Sequence, residues 1–166
     1  DDNGAITFSE LTSKARRMVK QHGVQLIVVD YLQMMNPAAG NYSNQPREQF
    51  IASVSRGLKQ IARSLEIPVI ALTQLNRNIE SRSAGERKPQ LSDIRESGAI
   101  EQDADLVLFL YKEDEPKDGE AATDATGDLR HLQIAKNRHG QADVRVDLWF
   151  EKRFTRFQNY TAQTPE

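Results

Sequence analysis

The chain has 166 residues and no cysteine, which excludes disulfide frameworks, thiolate zinc sites and cysteine nucleophiles. Averaged over the chain, a formal net charge of −2 gives no sign of a nucleic-acid partner. No apolar run approaches the roughly 20 residues that a membrane-spanning helix needs, so we expect no membrane partner.

The first half of the chain predicts alternating helices and strands. The capping-box pattern Thr7–Glu10 predicts the start of a helix that ends near Gly23. Two short apolar runs, Gln25–Asp30 and Pro68–Leu72, predict strands buried on both faces, as in a parallel sheet. A stripe of apolar residues within Arg47–Leu65 predicts a helix of about five turns between them.

The second half predicts a short helix within Ser92–Ala104 and a third buried strand at Asp105–Tyr111. Three further strands follow: Leu129–Ala135, Asp143–Phe150 and Phe154–Tyr160. Alternating apolar residues indicate that one face of these strands is exposed to solvent, and a hairpin joins the last two. We therefore expect an α/β fold that is parallel at the front and antiparallel at the C-terminal end.

One segment distorts the overall charge. Glu113–Asp128 holds seven acids and one lysine, a net charge of −6, so the rest of the chain carries +4. It has no aliphatic residue larger than alanine, which predicts a disordered surface loop. A solvated acidic face without a role is the alternative interpretation.

Polar residues follow two neighbouring apolar runs. Asp30 ends the first and Gln74 follows the second, and ligands of open α/β sheets bind at the carboxyl ends of strands. A carboxylate there can hold Mg²⁺ opposite a phosphate group. Either residue alone could equally be a turn or helix cap, but the coincidence of the two favours a site.

Two further segments carry basic residues. Lys136 and Arg138, two apart and followed by the turn residue Gly140, suit phosphate oxygens, although a simple basic hairpin tip is also consistent. Arg95 is a phosphate candidate beside Gly98, whose backbone could approach a ligand closely, unless Arg95 is incidental at a helix start. No GxxxxGK[ST], GxGxxG or GxSxG motif occurs, so no active site is complete in this sequence.

Five ordered stretches resemble the C-terminal RecA-like ATPase domain of replicative DNA helicases of the DnaB family. They are LIVVDYLQMM (26–35), SRGLKQIARSLEIPVIALTQLNR (55–77), LSDIRESGAIEQDADLVLFLY (91–111), IAKNRHG (134–140) and FTRFQNY (154–160). The resemblance implies a RecA-like α/β fold with a largely parallel sheet flanked by helices and antiparallel strands at its C-terminal end.

The resemblance also implies residue roles. Asp30 corresponds to the Walker B carboxylate that organises Mg²⁺, and Gln74 to the glutamine that senses the γ-phosphate of ATP. Lys136 and Arg138 correspond to the pair that reaches the nucleotide of the neighbouring subunit, with Arg138 as the arginine finger. Residues that would contact single-stranded DNA in the ring's channel are Arg95, Glu96, Gly98 and, in a second loop, Arg77.

The implied protein is a hexameric ring that couples ATP hydrolysis to translocation on single-stranded DNA and to unwinding. Its expected partners are identical subunits, primase and a helicase loader at the replication fork in the cytoplasm. The family's Walker A loop and catalytic glutamate are not in this sequence, so we expect a motor domain truncated on its N-terminal side, and no ATP hydrolysis by the chain alone. A recombinase-like or regulatory RecA-fold paralogue that binds DNA without unwinding it, or a non-catalytic binding module, are the alternatives.

Overall fold

The computed structural model describes residues 6–36, 46–83, 87–94, 98–113, 123–124 and 127–160. The chain divides into two units, which are described separately. The first unit comprises Asp1–Asn76 and Leu91–Ala104, and the second comprises Arg77–Gln90 and Asp105–Glu166.

Helices of the first unit begin and end where the sequence predicts. In α1 (Phe8–His22) the Thr7 hydroxyl accepts from the backbone N–H of Glu10 (3.3 Å), while the Glu10 carboxylate accepts from the backbone N–H of Thr7 (2.9 Å). The helix ends at Gly23, whose φ of +63° suits glycine. Helix α2 spans Arg47–Leu65. Among the described helices, none is long and apolar enough to cross a membrane.

Helix α2 supplies half of the buried hydrophobic side chains described in the first unit. Its buried stripe packs against α1, against the short helix α3 (Gly98–Asp103) and against a 3₁₀ turn at Leu32–Met34. The largest side chains that are almost wholly inaccessible to water are Phe50, Leu32, Ile51 and Val54. Three of these four belong to α2, so the helical stripe seen in the sequence is the hydrophobic centre of this unit.

Strands β1 (Ile27–Val29) and β2 (Val69–Ala71) pair in parallel, as predicted. The expectation that both faces are buried is wrong, because Val28 and Ile70 are partners in register and are 57% and 49% exposed. Helix α2 packs against β2, but within the described ranges nothing buries the face that bears these two side chains.

The second unit is an antiparallel sheet in the order β3–β5–β6–β7, with β4 beside β5. The strands are β3 (Leu106–Tyr111), β4 (Thr123–Asp124), β5 (Gly127–Asn137), β6 (Val144–Glu151) and β7 (Arg156–Asn159). In β3, Val107 and Phe109 are buried while Leu108 is 47% exposed, so the prediction of a strand buried on both faces is wrong here too. The α/β class, parallel early and antiparallel at the end, is confirmed. Parallel pairing among the described strands is confined to β1 and β2, because β3 joins the antiparallel sheet.

The predicted disordered loop at 113–128 is corrected at its C-terminal end, since Gly127 and Asp128 belong to β5 and pair with β4. Asp128 is only 5% exposed, and three cations surround its carboxylate, as a buried charge requires. The ammonium of Lys152 lies at 2.9 Å, the guanidinium of Arg130 at 3.0 Å and the ammonium of Lys112 at 3.9 Å. Residues 114–122 and 125–126 of the predicted loop lie outside the described residues.

These ion pairs predict a pH-dependent stability. Lys152 is the largest cause that lowers the pKa of Asp128 below its ordinary 3.8; burial opposes it, and Lys112 and Arg130 reinforce it. The stabilisation is therefore complete above pH 3.8 and is lost as the pH falls through the lower folded-state pKa. We expect Asp128→Asn to lower the melting temperature near neutral pH and to lose most of that effect in acid.

Calorimetry of the chain and its variants at about pH 6 and about pH 2.5 measures this difference. Asp143→Asn is the matched control, because Asp143 is exposed and has a φ of 57° that asparagine tolerates. If Asp128→Asn lowered the melting temperature equally at both pH values, ionisation of Asp128 would not be the cause.

Candidate functional site

The carboxyl ends of β1 and β2 lie side by side. The backbone N–H of Leu72 donates to the carbonyl of Val29 (2.9 Å), and the N–H of Leu32 donates to the carbonyl of Leu72 (3.0 Å). Asp30 follows Val29 directly and is exposed, and Gln74 comes two residues after Leu72 and is also exposed. The structure therefore brings Asp30 and Gln74 to one edge of the parallel pair, the edge at which such sheets bind ligands.

A third polar side chain, which sequence reasoning missed, joins the two strand ends. The amide nitrogen of Gln33 donates to the hydroxyl of Thr73 (2.9 Å), and its amide oxygen accepts from the backbone N–H of Gln74 (3.4 Å). Gln33 lies only three residues after Asp30, in the 3₁₀ turn. The signal in the sequence was a polar residue three positions after Asp30. It was overlooked because the residues around it are apolar.

The chain after Gln74 is tied to the 3₁₀ turn Leu91–Asp93. Leu75 and Ile94 form an isolated antiparallel β-bridge. The backbone N–H of Asn76 donates to the carbonyl of Asp93 (2.7 Å), and Asp93 is 4% exposed. The segment after β2 and the segment at Ile94 are therefore joined directly through their backbones.

The four candidate DNA contacts are placed as follows. Arg95 and Glu96, which follow Ile94 directly, lie outside the described residues. Gly98 is exposed at the start of α3, and no described residue beyond its chain neighbours and its own helix has an atom within 4 Å of the position a Cβ would take. A ligand could therefore approach its backbone. Arg77 is exposed at the start of a 3₁₀ helix, Arg77–Ser81, in the second unit.

Lys136 and Arg138 belong to the second unit, at the end of β5. The predicted strand Leu129–Ala135 ends too early, because β5 continues to Asn137. Lys136 therefore lies within the strand, where it pairs in register with Val107. Arg138 is the first residue past the strand. Its backbone N–H donates to the carbonyl of Asp105 (2.8 Å) and its guanidinium donates to the carboxylate of Asp105 (2.9 Å). Its side chain is 40% exposed, so the guanidinium remains accessible.

The turn after Arg138 is closed by Asn137. The Asn137 amide oxygen accepts from the backbone N–H of His139 (3.2 Å), and its amide nitrogen donates to the carbonyl of Gln141 (3.4 Å). A Cβ on Gly140 would lie 2.7 Å from that amide nitrogen, so a larger residue there would displace the Asn137 side chain. His139 is thus a turn residue, and the turn holds the backbone of Arg138 at the tip of the β5–β6 hairpin.

A divalent cation needs several oxygen or nitrogen ligands from the protein, the nucleotide or water. Within the described ranges, no three His, Cys, Asp or Glu side chains converge in a way that could hold a metal ion alone. Mg²⁺ bound with a nucleotide usually needs only one or two carboxylates, since phosphates and water supply the remaining ligands. The single exposed carboxylate of Asp30 fits that kind of site.

Comparisons with known proteins identify the family of this chain. Residues 1–159 match the family model of the DnaB-like helicase C terminal domain. The replicative DNA helicase DnaB of Geobacillus stearothermophilus is 42% identical over 96% of this chain and 33% of its own length. That of Pasteurella multocida is 44% identical over 98% of this chain and also 33% of its own length. The chain thus spans about a third of the curated relatives it matches.

Two solved structures share the fold. A DnaB-like replicative helicase, described with its interactions with primase, superposes with a TM-score of 0.81 at 37% identity, covering 97% of this chain and 36% of its own. The ATPase domain of G40P superposes with a TM-score of 0.77 at 36% sequence identity. The match covers 95% of this chain and 52% of the G40P chain. The family model covers nearly the whole sequence, and the chain therefore belongs to the DnaB-like helicase C-terminal domain family.

Proposed function

We propose that this chain is the C-terminal part of the motor domain of a hexameric replicative helicase, which couples ATP hydrolysis to translocation on single-stranded DNA and to duplex unwinding. The observation that carries the proposal is the placement of Asp30 and Gln74 just past the carboxyl ends of the neighbouring strands β1 and β2. The chain spans about a third of its relatives, so the activity is assigned to a longer polypeptide, called the full-length helicase below.

We propose that the carboxylate of Asp30 helps to hold the Mg²⁺ ion that is bound with ATP. The metal would neutralise phosphate charge, while the protein's part is to hold an exposed carboxylate at a fixed point beside β2. Gln74 can donate a hydrogen bond to a terminal phosphate oxygen without adding charge. The Walker A motif does not occur in these 166 residues, so no residue of this chain is assigned to it.

Lys136 and Arg138 are proposed to act on the nucleotide of the neighbouring subunit. Ring interfaces are heterologous, so one subunit can offer its strand edge while the next offers its hairpin tip. The turn fixes the backbone of Arg138, and its guanidinium is exposed, which suits a group that must reach another molecule. A planar guanidinium can engage two phosphate oxygens at once, and Lys136 adds a point charge.

Single-stranded DNA is the proposed track, gripped by Arg95, Glu96 and Gly98, with Arg77 in a second loop. The Leu75–Ile94 bridge supports a coupling in which movement at Gln74 displaces the segment that leads to Arg95.

Primase and a helicase loader are the further proposed partners, and the replication fork in the cytoplasm is the proposed location. The proposal of primase as a partner is supported by a structural relative that is described with its interactions with primase.

Forked-duplex unwinding and ATP hydrolysis by the full-length helicase test the proposal. We expect hydrolysis that is stimulated by single-stranded DNA and that drives strand separation. Hydrolysis without strand separation would favour the alternative, a RecA-fold protein that binds DNA but does not unwind it.

Arg95→Ala is expected to weaken binding of single-stranded DNA to a similar extent for every sequence, because phosphates carry no sequence information. Titrations over a range of salt concentrations should show a slope reduced by about 0.7 for the lost phosphate contact. The control is Arg63→Ala, an exposed arginine in the last turn of α2, which should change neither quantity. Affinity and salt slope unchanged in Arg95→Ala would remove this residue from the DNA track.

A further inference from the structure

Gln33 uses both ends of its side-chain amide to bridge two elements of the first unit. Its nitrogen donates to the Thr73 hydroxyl at 2.9 Å, and its oxygen accepts from the Gln74 backbone N–H at 3.4 Å. The backbone N–H of Gln74 can only donate, so it requires the amide oxygen of Gln33 and fixes the orientation of the amide. The amide nitrogen is then left to donate to the Thr73 hydroxyl, which can accept or donate. The bridge starts three residues after Asp30 and ends beside Gln74.

The backbone of Gln33 is held independently of its side chain. Arg47, the first residue of α2, donates to the carbonyl of Gln33 and to that of Met35 (3.4 Å). Leu32 and Met35 on either side are 2% and 3% exposed, so the 3₁₀ turn is anchored in the core. A rigid turn that carries a two-ended amide is a means of setting the separation of two strand ends.

We propose that Gln33 is a positioning residue that holds Gln74 in register with Asp30. This role rests on the proposed function, because its purpose is to fix the backbone that carries the Gln74 side chain relative to the carboxylate proposed for Mg²⁺. A neutral amide joins the strand ends without adding charge beside the nucleotide. The precision matters, since misplacement of a catalytic group by about 1 Å can cost about 10²-fold in rate.

Gln33→Ala in the full-length helicase is expected to lower the kcat of DNA-stimulated ATP hydrolysis by about 5- to 10-fold. The KM for ATP should stay within about two-fold, because a displaced Gln74 affects phosphate transfer more than nucleotide binding. Gln21→Ala, an exposed glutamine near the end of α1, is the matched control and should change neither value.

Thr73 offers a second test that keeps the shape of the half-buried site. Thr73→Val removes the hydroxyl that accepts from Gln33 and should lower kcat, whereas Thr73→Ser keeps the hydroxyl and should preserve it. Because both residues act through one bond, the double variant of Gln33→Ala with Thr73→Val should be no slower than Gln33→Ala alone.

The outcomes separate this role from the proposed function. An active wild type in which Gln33→Ala and Thr73→Val leave kcat unchanged, or in which their effects add fully, overturns the positioning role alone. If Thr73→Ser lowers kcat as much as Thr73→Val, the positioning role is also overturned. A wild-type helicase that does not hydrolyse ATP overturns the proposed function, and the role of Gln33 with it.

Discussion

Arg138→Ala is expected to lower ATP hydrolysis by the full-length helicase by about 10³-fold or more while nucleotide affinity changes little. An arginine finger stabilises charge that develops only as the phosphoryl group is transferred, so its loss affects the rate rather than binding. The pair that Arg138 makes with Asp105 does not oppose this use. Both side chains are about half exposed, 40% and 45%, and exposed ion pairs contribute little free energy.

Stopped-flow hydrolysis together with binding of a fluorescent ATP analogue measures the two quantities separately. Arg145→Ala is the matched control, since Arg145 has a 42% exposed side chain on the same sheet and is also ion-paired, to Glu113. Rapid turnover by Arg138→Ala, or an equal loss in Arg145→Ala, would count against the finger assignment.

Asp30→Asn is expected to reduce hydrolysis by about 10²- to 10³-fold, because a carboxylate that helps to hold Mg²⁺ contributes several kcal/mol to the transition state. Asparagine keeps the size of the side chain, and Asp30 is exposed at the end of β1, so the fold should not change. The change removes the negative charge and leaves the hydrogen bonds between β1 and β2 in place.

The diagnostic measurement for Asp30→Asn is the Mg²⁺ concentration needed for half-maximal hydrolysis, which should rise. Asp143→Asn makes the same chemical change at an exposed loop position of the second unit and should leave this concentration unchanged. An unaltered Mg²⁺ requirement in Asp30→Asn would exclude the Walker B assignment.

Local patterns predicted the parts of the fold that depend on neighbouring residues. The capping box of α1, its glycine stop and both ends of α2 follow from side chains within four positions of one another. The placement of Asp30 and Gln74 at one edge follows from the rule that parallel strands end at the same side of a sheet.

Features that depend on distant residues could not be predicted in this way. Asp128 is buried with Lys112 and Lys152, from other parts of the chain, against its carboxylate, whereas local composition alone suggested a loop. The exposure of Val28 depends on what packs over the sheet, which an apolar run cannot reveal. Gln33 was missed because its partners, Thr73 and Gln74, are 40 and 41 residues away.

The central claim is that one subunit offers Asp30 and the next offers Arg138 to the same nucleotide. Mixing Asp30→Asn with Arg138→Ala subunits in the full-length helicase tests it most directly. If the site is shared, about a quarter of the interfaces in randomly mixed rings join an intact Asp30 to an intact Arg138, and hydrolysis should recover toward that fraction of the wild-type rate. If both residues served the nucleotide of their own subunit, every site would lack one group, and the mixture would stay as inactive as either variant alone.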